Sequence, residues 1–249
     1  MIKLLKKICG IIGYKLVDKN LIKNDRIISK FSHHSIKNLL DKLFSQNLIN
    51  TVVQIGANDG KRFDPLNEFL IKFSPKTILV EPIVENYNDL KLNYKNIENI
   101  LFENSAISVN NEINFLFKVD DQKLSLYDSH IRGITSFDKN HLLKHGVSNS
   151  HIKKEYVNSI SFTDLTKKYS INNLDLLMID VEGYDGDILI DFLLNSTLRP
   201  IIIFEYLHIK NDKFENLINQ LISKNYVFFK IDENITCFPK ENKKINSLI

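Results

Sequence analysis

The sequence contains no tryptophan, and its 249 residues include only two cysteines, five prolines and eight glycines. The cysteines, Cys9 and Cys237, stand near opposite ends of the chain, so they form neither a metal-ligand spacing nor a disulfide framework. Such sparse use of cysteine fits a reducing compartment, and we expect the protein to be cytoplasmic.

Long apolar runs are also missing. None reaches the ~18 residues of a membrane-spanning helix. At the N-terminus, lysines interrupt the apolar residues and no small-residue cleavage site follows, which argues against a signal peptide. The pattern instead predicts an amphipathic helix with one apolar face formed by Ile2, Leu5, Ile8, Ile12 and Leu16. Such a helix would either pack on the domain or place residues 1–20 on a membrane surface as a peripheral contact.

A strong excess of one charge is absent as well. The chain has 33 basic and 30 acidic residues and a net charge of +3. Proteins that bind nucleic acid usually carry a clear basic excess, so this balance argues against nucleic acid as the partner. The 43% of apolar and 25% of charged residues are ordinary globular values and allow a sizeable core.

The apolar pattern divides the chain into a helical N-terminal extension, residues 1–50, and a domain over residues 51–249. In the domain, short β-rich runs alternate with helical stretches, which is typical of βαβ units. We predict an α/β fold with a Rossmann-like, doubly wound, mostly parallel sheet of about seven strands. The predicted strands cover residues 51–56, 77–81, 98–104, 157–162, 174–180, 200–206, 226–231 and 235–238. The predicted helices cover residues 62–73, 84–95, 163–169, 186–194 and 213–223.

Two adjoining segments interrupt this alternation. Residues 107–119 carry an Asn-Asn pair between β-like runs, which predicts a hairpin. Residues 120–150 are polar and are predicted to form a long loop on the substrate side of the domain. The histidines in and next to this segment are expected to be solvated loop residues; they are His130, His141, His145 and His151.

A glycine-rich turn, GANDG, follows the first predicted strand and runs from Gly56 to Gly60. Its glycines let a ligand approach the backbone, and the next helix offers free N–H groups. Glu81 ends the second strand, 21 residues after Gly60, where a carboxylate can bind both hydroxyls of a ribose. The turn and the acid together predict a nucleoside-containing ligand.

The turn lacks the G-x-G-x-x-G pattern of a dinucleotide site. Bulkier residues, Asn58 and Lys61-Arg62, occupy the places of the second and third glycines. Those glycines normally seat a pyrophosphate and pack the helix. A cofactor without a pyrophosphate, S-adenosyl-L-methionine, therefore fits better than NAD.

Four segments in this order, VVQIGANDG, LVEP, NSAIS and LLMIDVEGYDGDIL, resemble the FkbM-type methyltransferases over about residues 51–239. The resemblance implies a Rossmann-like enzyme that uses S-adenosylmethionine, mostly to methylate hydroxyl oxygens of sugars and other natural products. It also implies functional roles for the glycine turn, the ribose-binding acid, the stretch beside the adenine and the DxEG segment. These positions are Gly56, Asn58, Gly60, Glu81, Ser105, Ala106, Asp180, Glu182 and Gly183.

One position, Gln54, departs from the general methyltransferase pattern, which usually has an acid facing the methionine end of the cofactor. Glutamine can still accept a hydrogen bond from an ammonium group, without contributing a charge. Asp59 is the alternative acid for this role. Both residues are therefore candidate cofactor contacts.

Acidic residues follow two later strands that should adjoin in the sheet. Asp180 and Glu182 follow one, and Glu205, Tyr206 and His208 follow the next. We take Asp180, Glu182, Glu205 and His208 as the catalytic candidates, with His208 or Asp180 as the general base, and Asp180 is also a candidate cofactor contact. No metal is predicted, because the spacing is not diagnostic; a divalent cation held by the three carboxylates is the alternative.

The predicted function is methylation of a hydroxyl group on a sugar, glycan or glycan precursor, in glycan biosynthesis. The acceptor would enter under residues 120–150, where Phe115, Phe117, Tyr127 and Phe137 are candidates for stacking on a sugar, with core packing as the commoner alternative role for such residues. The alternatives are a methyltransferase for a non-sugar small molecule and a non-catalytic nucleoside-binding module. An NAD-dependent oxidoreductase and an RNA methyltransferase are disfavoured by the turn and by the charge, respectively.

Overall fold

A computed structural model describes residues 24, 35–109, 115–128, 131 and 133–241. The helices are α1 (Ile36–Ser45), α2 (Asn67–Phe73), α3 (Val84–Asn93), α4 (Lys139–Lys144), α5 (Phe162–Lys168), α6 (Asp185–Asn195) and α7 (Asn211–Ser223). The strands are β1 (Thr51–Ile55), β2 (Lys76–Val80), β3 (Ile100–Glu103), β4 (Ala106–Ile107), β5 (Phe115–Val119), β6 (Thr135–Ser136), β7 (Ile152–Tyr156), β8 (Ser159–Ile160), β9 (Leu176–Ile179), β10 (Ile201–Glu205), β11 (Tyr226–Ile231) and β12 (Asn234–Pro239). The amphipathic helix predicted within residues 1–20 lies outside the described residues.

A seven-stranded sheet has the order β11-β12-β10-β9-β1-β2-β3. The five strands β10, β9, β1, β2 and β3 are parallel to one another, whereas β12 runs antiparallel to both β10 and β11. The chain moves outward from β1 to β3 and then returns to the other side of β1 with β9 and β10. The prediction of a doubly wound, mostly parallel sheet is confirmed.

Helices cover both faces of this sheet because its strands are apolar on both faces. Val52 and Leu79 face a cluster with α1, α2 and α3, and Val53 and Ile78 face a cluster with α5, α6 and α7. Helix α1 places its buried residues in the i, i+3, i+4 pattern of an amphipathic helix and begins at Ser35, whose hydroxyl accepts a bond from the N–H of Asn38. Each fully buried leucine or valine adds about 1.5–3 kcal/mol of stability.

The segment between β4 and β8 differs from its predicted structure. Strands β4 and β5 belong to different sheets, so the hairpin predicted over 107–119 is wrong for the described strands; its turn lies outside the described residues. Strand β5 pairs instead with β6 and β7, which both come later in the chain. A local turn pattern does not reveal such distant partners.

The predicted loop over residues 120–150 is in fact largely ordered. It contains a 3-10 helix (Asp121–Leu126), β6 and α4. These elements share a small apolar core of Val119, Ile131, Ile134, Leu142 and Val147, which stabilises the segment despite its polar composition.

Four of the five predicted helix starts differ from the structure. Helices α6 and α7 begin one and two residues earlier than predicted, at Asp185 and Asn211. The helix predicted from residue 62 begins at Asn67, after a turn that includes Pro65. Helix α5 begins one residue earlier than predicted, with Ser161 as its cap, because the Ser161 hydroxyl accepts a bond from the N–H of Asp164 at 3.0 Å. No helix within the described ranges combines the length and the apolar character needed to cross a bilayer.

Candidate active site

A cavity of about 380 Å³ opens at the carboxyl ends of β1, β2, β9 and β10. It lies where the strand order reverses, between β1 and β9, which is where open parallel sheets bind ligands. Most of the residues singled out in the sequence line it: Gln54, Gly56, Asn58, Glu81, Ser105, Ala106, Asp180, Glu182 and Glu205. Asp59, Gly60 and His208 are outside its described lining.

Gly56 brings the ends of two strands into contact at the cavity floor. Its φ is +82°, and a Cβ atom there would lie 1.9 Å from the carbonyl oxygen of Asp180. Its N–H donates to the carbonyl oxygen of Val80 at 3.0 Å. Both the backbone conformation and the close approach therefore require glycine.

Glu81 is held at the tip of β2 by backbone donors. Its Oε2 accepts from the N–H of Asn58 and its Oε1 from the N–H of Ile83, both at 2.9 Å. Burial raises the pKa of the Glu81 carboxyl to about 7, although these bonds act in the opposite direction. These donors fix the orientation of the Glu81 carboxyl group, whose oxygens can accept further hydrogen bonds.

Asp59 and Gly60 shape the turn itself. Asp59 accepts bonds from the N–H groups of Lys61 and Arg62 and pairs with the Arg62 side chain at 2.5 Å. Burial alone would raise the pKa of Asp59, but these bonds outweigh it and lower the pKa. A Cβ atom on Gly60 would lie 2.4 Å from both Leu90 and Tyr94. Gly60 therefore lets the turn pack closely against Leu90 and Tyr94, and Asp59 caps the turn by accepting from its N–H groups.

Asp64, which the sequence reasoning missed, lies beside Gln54 in the cavity wall. The amide nitrogen of Gln54 donates to Asp64 Oδ1 at 3.1 Å, and the N–H of Leu66 donates to the same oxygen at 2.9 Å. Gln54 Oε1 and Asp64 Oδ2 are buried without a hydrogen-bond partner among the described residues. Burial raises the pKa of Asp64 to about 6. Two unsatisfied acceptors, one of them ionisable, fit a cationic donor such as an ammonium group.

Asp180 and Glu205 adjoin at the tips of β9 and β10, as expected from the sequence. The N–H of Asp180 donates to the carbonyl oxygen of Ile55 at 3.0 Å, and its side chain faces the cavity. Asp180 is exposed to the open cavity, and desolvation by the protein around it, followed by the charge of Glu182, raises its pKa to about 7. Burial, followed by the charge of Asp180, raises the pKa of Glu205 to about 10.

Asp185 supports the turn that follows β9, a role the sequence did not indicate. Its carboxylate accepts from the N–H groups of Val181 and Gly183 at 3.3 and 3.1 Å. Burial raises its pKa well above the ordinary value. The turn that it supports carries Glu182, at a φ of +54°, into the cavity wall.

The histidines of the 120–150 segment depart from the expected solvated state. His141 is buried and its Nε2 lies 2.8 Å from Glu182 Oε2. Its ring also lies close to those of His145 and His208, with centroid distances of 4.6 and 4.4 Å. His151 contacts Tyr127 instead, at 2.7 Å, and His130 lies outside the described residues.

His208 lies behind the cavity wall. Its Nε2 is 3.7 Å from Glu205 Oε1 and 4.0 Å from Glu182 Oε2. Burial, followed by electrostatic repulsion from His141, lowers the pKa of His208 to about 4. Asp180 belongs to the described cavity lining, whereas His208 does not.

Among the four aromatic residues proposed for stacking, Phe137 lines the cavity and packs against Tyr184 with a centroid distance of 4.5 Å. Phe115 and Phe117 pack against each other, and Tyr127 is bonded to His151. None of these three is part of the described lining, so they take the packing role that was the alternative to stacking.

Comparison with known proteins gives one family match. The family model of the methyltransferase FkbM domain matches residues 54–228. A solved FkbM methyltransferase from Methylobacillus flagellatus KT is 11% identical, with a TM-score of 0.46; the match covers 77% of this chain and 44% of that chain. An O-methyltransferase from Bacillus cereus, solved in complex with SAH, is 8% identical, with a TM-score of 0.41 and coverage of 95% and 98%. No curated protein matches the sequence significantly.

Proposed function

Because this chain belongs to the FkbM methyltransferase family, whose enzymes use S-adenosylmethionine, we propose that it methylates a hydroxyl oxygen of a sugar or glycan precursor. The observation that carries the proposal is the cavity at the strand switch point, which combines Glu81 on one side with Asp180 on the other. Glu81 is suited to bind a ribose diol, and Asp180 is suited to bind an acceptor hydroxyl.

The residues of the cavity fit both ends of S-adenosylmethionine. Glu81 would bind the ribose hydroxyls, and Ser105 and Ala106 would lie beside the adenine. At the other end, Gln54 Oε1 and Asp64 Oδ2 lack partners among the described residues and would accept from the ammonium group of the methionine moiety. Asp64 would supply the negative charge that Gln54 lacks.

The ammonium contact can be tested by replacing Asp64 with asparagine. We expect Asp64→Asn to weaken binding of S-adenosylhomocysteine about 10–150-fold, the equivalent of a charged hydrogen bond worth about 1.5–3 kcal/mol. The asparagine keeps the shape and can still accept from Leu66 N–H. Isothermal titration calorimetry would measure the change.

The matched ligand control is 5′-methylthioadenosine, which has the nucleoside but no amino-acid part. Its affinity should be the same in the Asp64→Asn variant and in the unmodified protein. Equal losses for both ligands would place Asp64 elsewhere in the cofactor site and contradict the assignment.

Asp180 is the better placed of the two candidate bases. Its carboxylate faces the cavity, whereas His208 is outside the described lining. We propose that Asp180 takes the proton of the acceptor hydroxyl, which typically contributes a factor of 10²–10⁴ to the rate. S-adenosylmethionine, when bound, supplies a sulfonium methyl group, and the new C–O bond forms as the C–S bond breaks and returns its electron pair to sulfur.

The acceptor wall comes from the segment between β4 and β8. Leu116, Gly133, Thr135 and Phe137 line the cavity on this side. An aromatic ring beside small and hydroxyl-bearing residues suits a sugar, because a sugar ring presents one apolar face and hydrogen-bonding groups at its edge.

The proposed activity can be tested in two steps with the purified full chain. Calorimetric titration should show binding of S-adenosylhomocysteine and none of NAD. Methyl-labelled S-adenosylmethionine is then incubated with free sugars, nucleotide sugars, catechols and hydroxylated acids. We expect label in the carbohydrate acceptors. Label confined to the non-sugar acceptors would overturn the sugar assignment, and failure to bind S-adenosylhomocysteine would overturn the cofactor site.

A further inference from the structure

Four side chains that can bind a metal converge behind the acidic wall of the cavity. His141 comes from α4, His145 is the residue that caps the C-terminus of this helix, Glu182 comes from the turn after β9, and His208 from the segment after β10. One ligand atom of each side chain lies within 4.8 Å of the ligand atoms of the other three. In sequence the four residues span 68 positions, so the fold alone brings them together.

The local geometry presents these side chains to a common point. His141 and His145 are four residues apart at the end of α4, so they share one face of the helix. His141 Nε2 and His208 Nε2 lie 2.8 and 4.0 Å from the same oxygen, Glu182 Oε2. The rings of His145 and His208 have a centroid distance of 5.8 Å.

We propose that His141, His145, His208 and Glu182 form a binding site for a divalent transition-metal ion, with Zn²⁺ as the ion that fits best. Three imidazoles and one carboxylate are borderline nitrogen and oxygen ligands, which suit Zn²⁺ rather than Mg²⁺ or Ca²⁺. Four ligands complete a tetrahedral shell.

The observed distances are compatible with this coordination. Zn–N and Zn–O bonds of about 2.0–2.1 Å place the ligand atoms of a tetrahedron about 3.4 Å apart. The distances from Glu182 Oε2 to His141 and His208 lie on either side of that value. Side-chain rotations alone would bring the four atoms into the shell, because His145 and His208 are only partly buried.

The metal would have a structural consequence for the acceptor side of the cavity. With four protein ligands the site is closed, so the ion would join α4 to the ends of β9 and β10. Glu182 belongs both to this group and to the cavity lining. The sequence suggested as an alternative a cation held by the carboxylates of Asp180, Glu182 and Glu205. The proposed site is different, because it shares only Glu182 with that set.

The site can be tested directly by metal binding, without any methyl acceptor. The full chain, freed of affinity tag and metal, is titrated with Zn²⁺ in competition with a chromophoric chelator, and in parallel with Mg²⁺. We expect one Zn²⁺ per chain and no competition by Mg²⁺. Co²⁺ in place of Zn²⁺ should give the intense visible absorption of tetrahedral coordination.

Two single substitutions and one matched control locate the ion. His145→Ala and His208→Asn should each weaken Zn²⁺ binding more than about 100-fold, because even the loss of an outer-shell partner costs 10–100-fold. The matched control is His151→Ala, because His151 lies next to the same segment but contacts Tyr127 and not the proposed ligands. This variant should bind Zn²⁺ like the unmodified chain. Circular dichroism checks that each variant is folded.

Two results would overturn the proposal. One is the absence of stoichiometric Zn²⁺ binding by the folded, unmodified chain. The other is an equal Zn²⁺ affinity in the unmodified chain and in whichever of the two ligand variants is folded. Neither result bears on S-adenosylhomocysteine binding, so the metal site and the proposed methyl transfer succeed or fail separately.

Discussion

Replacing Asp180 with asparagine is expected to lower the rate of methyl transfer by about 10²–10⁴-fold, the usual contribution of a positioned general base. Asparagine has nearly the same shape but does not accept the proton of the acceptor hydroxyl. The residue is well suited to this comparison because its backbone N–H, not its side chain, makes the bond to Ile55 that extends the strand pairing. The rate is measured with the first acceptor identified in the labelling assay.

The matched control is Asp175→Asn, at the opposite end of the same strand. Asp175 accepts from the N–H groups of Asn50 and Thr51, far from the carboxyl end that carries Asp180. This variant should keep the full rate. Binding of S-adenosylhomocysteine should persist in both variants, and a normal rate in Asp180→Asn would show that the proton leaves by another group.

Replacing Gly56 with alanine is expected to destabilise the protein by about 2–5 kcal/mol. An alanine at a φ of +82° costs about 1–2 kcal/mol, and forcing a methyl group into a packed site costs about 1–3 kcal/mol more. The added Cβ would lie 1.9 Å from the Asp180 carbonyl oxygen, and that backbone cannot retreat without disturbing the pairing of β1 with β9. Urea denaturation followed by circular dichroism measures the change.

Gly183→Ala separates the two causes. Gly183 also has a positive φ, +106°, but the nearest atom to its added Cβ would be His208 Cβ at 3.4 Å, an ordinary contact. Its substitution should cost only the conformational part, about 1–2 kcal/mol. If Gly56→Ala is no more destabilising than Gly183→Ala, the close approach of the two strand ends is not what requires glycine.

Much of the main sheet could be predicted from the sequence. Strands such as Leu176–Ile179 are continuous apolar runs because both faces of a parallel sheet are covered by helices, and this pattern is visible without a structure. The match of the FkbM methyltransferase domain confirms the predicted family and, with it, the prediction of a methyltransferase that uses S-adenosylmethionine.

The parts that escaped prediction depend on contacts between distant residues. Asp64 lies in a turn that reads as the start of a helix, and its role becomes visible only when Gln54 donates to it across the cavity wall. His141 looks like a polar loop residue until the fold brings it to Glu182, 41 positions later. Strand β5 likewise finds its partners well beyond the Asn-Asn pair that suggested a local hairpin.

The short pairing of β4 with β8 has a consequence for how the acceptor specificity of this protein can change. Ala106 pairs with Ser159, so the chain leaves the main domain and returns to it at neighbouring points. The intervening residues carry their own apolar core, and the cost of closing such an excursion grows only slowly with its length. We therefore expect the excursion to be exchangeable as a unit. Another segment of different length and chemistry should be able to replace it while the segment from Gln54 to Glu81 stays as it is.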